Sequence, residues 1–115
     1  MNKSIFNGNL VADPKMGKSK SGTPYALFTV AVNRRGKDAG ADFIPVVAWD
    51  KTAEFADKWF SKGKPIMVIG ELQSRNYQDR NGEKRTVLEV VADQLEFIGP
   101  KTAIEDESFD IPDIR

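Results

Sequence analysis

Residues 43–77 read FIPVVAWDKTAEFADKWFSKGKPIMVIGELQSRNY, and the order of elements in this segment is the most informative feature of the chain. Residues 43–49 alternate like a β-strand, and residues 65–77 form a second, longer strand pattern. Between them, residues 50–61 carry apolar side chains at helical spacing, and Asp50 is the expected N-cap. We therefore predict a strand, one helix and another strand, in this order.

Two predicted strands precede this segment and one follows it. Residues 4–12 alternate weakly and end at a turn signal, whereas residues 25–33 alternate with period two. After an Asn-Gly turn at 81–82, residues 84–97 return as a long strand and complete a hairpin. Three strands, a helix and two strands match the OB-fold, a five-stranded barrel that binds oligonucleotides or oligosaccharides. We therefore expect an all-β OB-fold domain over residues 1–100.

Alternation also separates an inner from an outer face of the predicted barrel. The expected core residues are Ala26, Phe28, Val30, Val32, Ile44, Val46, Ala48, Ala53, Ala56, Trp59 and Phe60. Gly63 is the expected stop signal of the helix. Phe43 and Trp49 have the opposite parity to the inner residues of their strand, so they belong on the outer wall unless a bulge at Pro45 turns one inward.

Composition excludes several classes of chemistry. The 115 residues include no cysteine and no histidine, which rules out disulfides, thiolate or imidazole zinc sites, and Cys or Ser-His nucleophilic machinery. No apolar run approaches the roughly 20 residues that span a bilayer, and the first residues do not resemble a signal peptide. We expect a cytoplasmic protein with no cofactor, no metal and no membrane partner.

Charge is distributed unevenly along the chain. The 17 basic and 17 acidic side chains give a net charge of zero, but residues 1–103 carry +4 and residues 104–115 carry −4. A basic body with an acidic tail is typical of proteins that handle nucleic acid, although such tails also act as solubilisers. The sequence from 101 to 115 is too polar to pack, so we expect a disordered acidic tail there.

Aromatic rings and cations alternate on the predicted outer wall. A binder of single-stranded nucleic acid needs exposed rings on which bases stack and cations that hold the phosphates between them. The candidate DNA-binding residues are Arg34, Arg35, Phe43, Trp49, Arg75, Tyr77, Arg80, Lys84 and Arg85. Each ring taken alone could instead fill the barrel or lie in a subunit interface, and each cation could be ordinary solvated surface.

Four ordered motifs resemble bacterial and bacteriophage single-stranded DNA-binding proteins. Gly8-Asn9-Leu10 with Asp13-Pro14 resembles the opening of that family, and residues 46–54 resemble its third strand and helix start. Lys62-Gly63 is the third match, and residues 69–79 resemble the family's fourth strand and hairpin. The likeness covers about residues 2–99. It implies an OB-fold that assembles as a homotetramer, or alternatively a dimer, and wraps single-stranded DNA without sequence preference in replication, recombination and repair.

The resemblance also implies roles for individual residues. The family's stacking positions fall on Phe43, Trp49 and Tyr77. Cations that members place on phosphates fall near Arg34, Arg35, Arg75 and Arg85.

Three departures from the family pattern affect what the resemblance implies. Residues 33–36 lack an aromatic that many members carry, which predicts that one stack is either lost or replaced by a cation–π contact. Scarcely ten residues separate barrel and tail, so the reach is short, and this compact build indicates a phage- or plasmid-encoded version. The expected partner-binding segment is Phe109, Asp110, Ile111 and Pro112. It would dock replication or repair proteins, but the chain continues through residues 113–115 where the family motif ends in Phe.

Three other functions fit parts of the sequence. One is an RNA-binding or primosome-accessory OB protein, and a second is a purely structural assembly domain. The third is a Mg²⁺-dependent nuclease that would use Asp50, Glu54 and Asp57, residues that also suit helix capping and compensation of the helix dipole.

Overall fold

The computed structural model describes residues 1–98, which form six strands and one helix. Their bounds are β1 (Ser4–Leu10), β2 (Lys15–Lys18), β3 (Pro24–Asn33), β4 (Ala41–Trp49), α1 (Asp50–Trp59), β5 (Pro65–Gln78) and β6 (Lys84–Phe97). The predicted tail and its partner-binding residues lie outside the described residues. No helix within residues 1–98 is long and apolar enough to cross a membrane.

The strands form one sheet that closes into a ring. Their order is β1-β5-β6-β4-β3-β2, and β1 also pairs with β3, so five strands make a closed barrel and β2 lies outside it. Leu10 pairs with Val30 where β1 meets β3, and Val46 pairs with Val90 in the parallel contact between β4 and β6. With the helix between β4 and β5, this architecture confirms the predicted OB-fold.

Strand β2 is an element that the polar sequence of residues 15–18 did not predict. It pairs antiparallel with β3 at the edge of the sheet, where Gly17 lies opposite Tyr25. Backbone pairing at an edge requires no apolar side chain, so the Lys-rich composition is compatible with a strand. A Cβ on Gly17 would lie 2.6 Å from the Tyr25 ring, so the glycine makes room for that ring.

Two other glycines allow strands to cross closely where the barrel curves. A Cβ on Gly8 would lie 2.1 Å from the carbonyl oxygen of Ala31, and one on Gly70 would lie 2.2 Å from that of Val91. The register of β5 against β6 also shifts beside Gly70. Because both obstacles are backbone atoms, no side-chain rearrangement could relieve the clash.

The core confirms most of the predicted inner face. Ala26, Val30, Val46 and Ala48 are almost fully buried, as are Ala53 and Ala56 of the helix. Val32 and Ile44 are partly buried and pack against this core. Strand β4 pairs with β3 in a continuous register through Pro45, so the bulge that could have turned an outer ring inward does not occur.

Three details of the predicted helix are wrong. Trp59 is 44% exposed and packs edge-on against Phe97, whereas Phe60 is buried as expected. Asp50 makes no capping hydrogen bond, because it is the first helical residue and has φ +55°, while Trp49 occupies the N-cap. The helix ends at Trp59, several residues before Gly63. Gly63 lies in the turn after the helix and donates its N–H to the carbonyl of Leu10 at the end of β1.

Candidate nucleic-acid interface

A groove of about 430 Å³ lies on the outer face of the barrel, across strands β3, β4, β5 and β6. Leu27, Val47 and Val91 form its apolar floor. Val47 is buried there, although its parity places it opposite the core residues of β4. The groove therefore explains why both faces of β4 are apolar: one face lines the barrel interior and the other lines this surface.

Two aromatic rings form one wall of the groove. Trp49 is 41% exposed, and Tyr25 on the neighbouring strand is paired with it in register. Their ring centroids are 5.5 Å apart and their planes meet at 64°, which is an edge-to-face contact. Tyr25 thus supports the indole from the side, and part of the Trp49 ring remains free to contact a planar ligand.

Phe43 and Tyr77 lie beyond the lining of the groove. Phe43 is 65% exposed near the start of β4, and Tyr77 is 45% exposed near the end of β5. The Arg75 guanidinium lies 5.8 Å from the Tyr77 ring centroid, a cation–π contact. The alternative that Phe43, Trp49 or Tyr77 fills the barrel is therefore wrong, whereas contact with DNA remains a prediction.

Arg75 and Glu89 form the polar wall of the groove. The Arg75 Nε donates to Oε2 of Glu89 at 3.1 Å, and Nη2 donates to Oε1 at 3.2 Å. The Glu89 side chain is only 9% exposed, whereas that of Arg75 is 54% exposed. This hydrogen-bonded carboxylate raises the pKa of the Arg75 guanidinium, so the arginine stays charged.

Two more of the predicted phosphate-binding arginines are in ion pairs. Arg34 contacts Asp42 on the next strand with an Nη2–Oδ1 distance of 2.8 Å, and the hydrogen bond between them raises the pKa of Arg34. Arg85 contacts Asp79 at 2.9 Å in the β5–β6 hairpin, and this hydrogen bond lowers the pKa of the Asp79 carboxyl. Within residues 1–98, Arg35, Arg80 and Lys84 make no ion pair.

Residues 1–98 match the protein family described as the single-strand binding protein family. The chain belongs to this family. It is similar to "Single-stranded DNA-binding protein 2" of Clostridium acetobutylicum, with 42% identity over 118 aligned positions that cover 97% of this chain and 89% of that protein. It is also 40% identical to "Single-stranded DNA-binding protein 1" of Staphylococcus aureus strain MSSA476, over 93% of this chain and 71% of the relative.

A third relative, "Single-stranded DNA-binding protein" of Clostridium tetani, is 42% identical over 85% of this chain and 70% of its own length. Membership of the single-strand binding protein family confirms the resemblance that the sequence motifs indicated.

In this member of the single-strand binding protein family, only Trp49 and Arg75 of the groove lining were predicted site residues, and the two most informative residues that sequence reasoning missed are Tyr25 and Glu89. The even-numbered residues of β3 face the core, so its odd-numbered residues, including Tyr25 and Leu27, face outward. This alternation could have identified Tyr25 as a residue of the outer face. Glu89 is a single acid within the otherwise apolar segment 87–92. Its burial against Arg75 depends on the register of β5 and β6, which the sequence does not specify residue by residue.

The acidic residues of the helix do not form a metal site. In the part of the chain that the structure describes, no group of three or more Asp or Glu side chains could hold a metal ion.

Proposed function

We propose that this chain is a non-catalytic protein that binds single-stranded DNA without sequence preference. The observation that carries this proposal is the outer groove, where an exposed Trp49 ring braced by Tyr25 stands over an apolar floor. Such a surface accepts the flat face of any base, because every base has a π-face. Family membership and the names of the relatives support the same function.

Stacking supplies the part of the binding free energy that is independent of sequence. Phe43, Trp49 and Tyr77 are the proposed stacking residues, and each base–ring stack contributes about 1–3 kcal/mol. The rings lie at separate places along β4 and β5, so a strand that reaches all three must be extended. A base already stacked and paired in a duplex cannot lie flat on them.

Phosphate contacts supply the salt-dependent part. Within residues 1–98, no acidic side chain lies within ion-pair distance of Arg35, Arg80 or Lys84. Arg34, Arg75 and Arg85 are also proposed to contact DNA, but each enters the contact as half of an ion pair. A cation that is already paired with an acid contributes less free energy to a phosphate contact. We therefore propose that Arg35, Arg80 and Lys84 neutralise the phosphates and release the counterions bound to them.

Binding of this kind serves replication, recombination and repair by keeping exposed strands unpaired and extended. We further propose that the chain assembles with itself, as a tetramer or alternatively a dimer. Ile5 is 63% exposed, and Leu72 and Leu88 are 45% and 58% exposed on the long hairpin. Apolar side chains left open on strands in this way are suited to an interface between subunits.

The acidic segment 104–115 has two proposed roles. Its net charge of −4 allows it to compete with DNA for the basic surface of the barrel. Phe109, Asp110, Ile111 and Pro112 are the residues proposed to contact replication or repair proteins, as the family resemblance implies.

A fluorescence titration tests the proposed function. The chain has two tryptophans, so the Trp59→Phe variant leaves Trp49 as the only indole, in the groove. Oligo-dT should quench its emission, duplex DNA of the same length should bind far more weakly, and a preference for oligo-U would favour the RNA-binding alternative. Absence of any response to oligo-dT would contradict the proposal.

Incubating a labelled oligonucleotide with the protein and Mg²⁺ tests the absence of catalysis. We expect the oligonucleotide to remain intact, whereas cleavage would favour the nuclease alternative. A mass measurement in solution gives the oligomeric state.

A further inference from the structure

The Arg75–Glu89 pair differs from the other ion pairs of the barrel. Its carboxylate is almost completely buried, with 9% of the side chain exposed, and both residues line the groove. The Arg34–Asp42 pair is exposed on both sides, at 59% and 51%, and does not line the groove. Replacing a buried ion pair by apolar side chains often leaves stability unchanged or raises it, so stability alone does not account for a charged pair here.

Both partners keep unused hydrogen-bonding capacity. A guanidinium has five N–H donors, and Glu89 occupies one at Nε and one at Nη2. Each carboxylate oxygen accepts one hydrogen bond from Arg75 and retains a second lone-pair site. Within residues 1–98 neither side chain makes another side-chain hydrogen bond. The wall of the groove therefore presents charged donors directly beside charged acceptors.

This arrangement matches a feature that all nucleobases share. On its Watson–Crick edge every base has a donor beside an acceptor: N3–H and O4 in thymine, N4–H and N3 in cytosine, N6–H and N1 in adenine, and N1–H and O6 in guanine. Proteins that recognise single-stranded RNA form hydrogen bonds to these edges once the bases are splayed apart. In a duplex the same edges are occupied by the partner base.

We propose that the Arg75–Glu89 pair binds the Watson–Crick edge of a base that stacks in the groove. Arg75 donates to the acceptor of the base, and Glu89 accepts from its donor. The contact selects unpaired bases over paired ones. Thymine and guanine present the acceptor and the donor in the opposite order from cytosine and adenine, so the pair meets these two classes with the base turned over in the groove. This inference rests on the proposed function, because it requires a base in the groove. It adds hydrogen bonding to stacking as a cause of the preference for single-stranded over duplex DNA.

Modified oligonucleotides test the inference with the unmodified protein of 115 residues. Oligo-dT and oligo-dU share one Watson–Crick edge and differ by a methyl group at C5. An oligomer of N3-methylthymidine keeps the ring and the phosphates but lacks the N3–H donor. We expect oligo-dT and oligo-dU to bind alike and N3-methylthymidine to bind about tenfold more weakly, since hydrogen bonds to charged groups are among the strong ones.

A paired substitution separates hydrogen bonding from steric exclusion of the added methyl group. Arg75→Met combined with Glu89→Leu removes both charges together, so no unpaired charge remains buried. In this double variant the ratio of affinities for oligo-dT and N3-methylthymidine should fall to about one. The matched control, Lys58→Met with Glu54→Leu, removes one exposed base and one exposed acid of α1 outside the groove lining and should retain the wild-type ratio.

The outcomes separate this inference from the proposed function. Equal binding of oligo-dT and N3-methylthymidine by the wild type would overturn the inference and leave single-stranded DNA binding intact. The same loss in wild type and double variant would also overturn it, because the methyl group would then act sterically. If the double variant fails to fold, Glu89→Gln takes its place: it keeps the size of the side chain and removes its charge, so the ratio should fall, and an unchanged ratio would overturn the inference. Failure of every oligonucleotide to bind would overturn the proposed function and the inference with it.

Discussion

Tyr25 packs its ring edge-on against Trp49, with the centroids 5.5 Å apart. The two residues are direct partners in the β3–β4 register, and Gly17 of β2 lies on the other side of the Tyr25 ring. The edge strand β2, which the sequence did not predict, therefore holds Tyr25 in place, and Tyr25 in turn orients the exposed indole. An edge-to-face aromatic pair contributes about 0.5–1.5 kcal/mol beyond the area it buries.

Removing the Tyr25 ring should weaken DNA binding through its effect on Trp49. We expect Tyr25→Leu to lower the affinity for oligo-dT by about three- to tenfold, which corresponds to the lost edge-to-face contact. Tyr25→Phe keeps the ring and should bind like the wild type. Titration with oligo-dT measures the affinity of both variants. Equal affinities would show that the contact between Tyr25 and Trp49 does not contribute to DNA binding.

Salt dependence should identify which cations neutralise phosphates. Alanine at Arg35, Arg80 or Lys84 should each reduce the slope of log K against log salt by up to about 0.7, the value for one phosphate of a single strand. Removing Arg34 and Asp42 together should change the slope less, because that pair carries no net charge. Titrations at several salt concentrations measure this, and a larger slope change for the pair than for Arg35 would refute the assignment.

The close strand crossings at Gly8 and Gly70 should tolerate no side chain. We expect Gly70→Ala to destabilise the fold by more than about 3 kcal/mol, because its Cβ would meet a backbone carbonyl that cannot move aside. Gly22→Ala is the matched control: its positive φ costs about 1–2 kcal/mol, but its Cβ would meet no atom. Urea denaturation measures the free energy of unfolding of both variants. Equal losses of stability would contradict the claim that the close strand crossing at Gly70 excludes a side chain.

Deleting residues 104–115 should tighten DNA binding at low salt. The deletion removes a net charge of −4 from a chain of zero net charge, so electrostatic competition with the phosphates disappears. The Debye length falls from about 30 Å at 0.01 M salt to about 8 Å at 0.15 M, so the gain should shrink as salt rises. An affinity at 0.01 M salt that the deletion leaves unchanged would argue against competition by this segment.

The alternation of apolar residues was sufficient to predict the barrel and its outer rings. Ala26, Val30 and Val46 are buried and Phe43 and Trp49 exposed, because period-two alternation directly reflects the two faces of a strand. The sequence did not predict β2, since an edge strand is held by backbone hydrogen bonds that leave no apolar pattern.

Other features depend on three-dimensional neighbours. Trp59 has the spacing of a core residue, but it lies on the last turn of α1 and packs against Phe97, which is itself half exposed. The pairing of Arg75 with Glu89 joins residues 14 positions apart through the cross-strand register. Single-sequence reasoning therefore located Arg75 on the correct strand but could not assign its partner.

The most direct test of the central claim compares two exposed tryptophans. Trp49 and Trp59 are similarly exposed, at 41% and 44%, but only Trp49 lines the groove. If unpaired bases stack in this groove, Trp49→Ala should weaken oligo-dT binding by about 1–3 kcal/mol and Trp59→Ala should leave it unchanged. Wild-type affinity in Trp49→Ala, or an equal loss in both variants, would contradict the account.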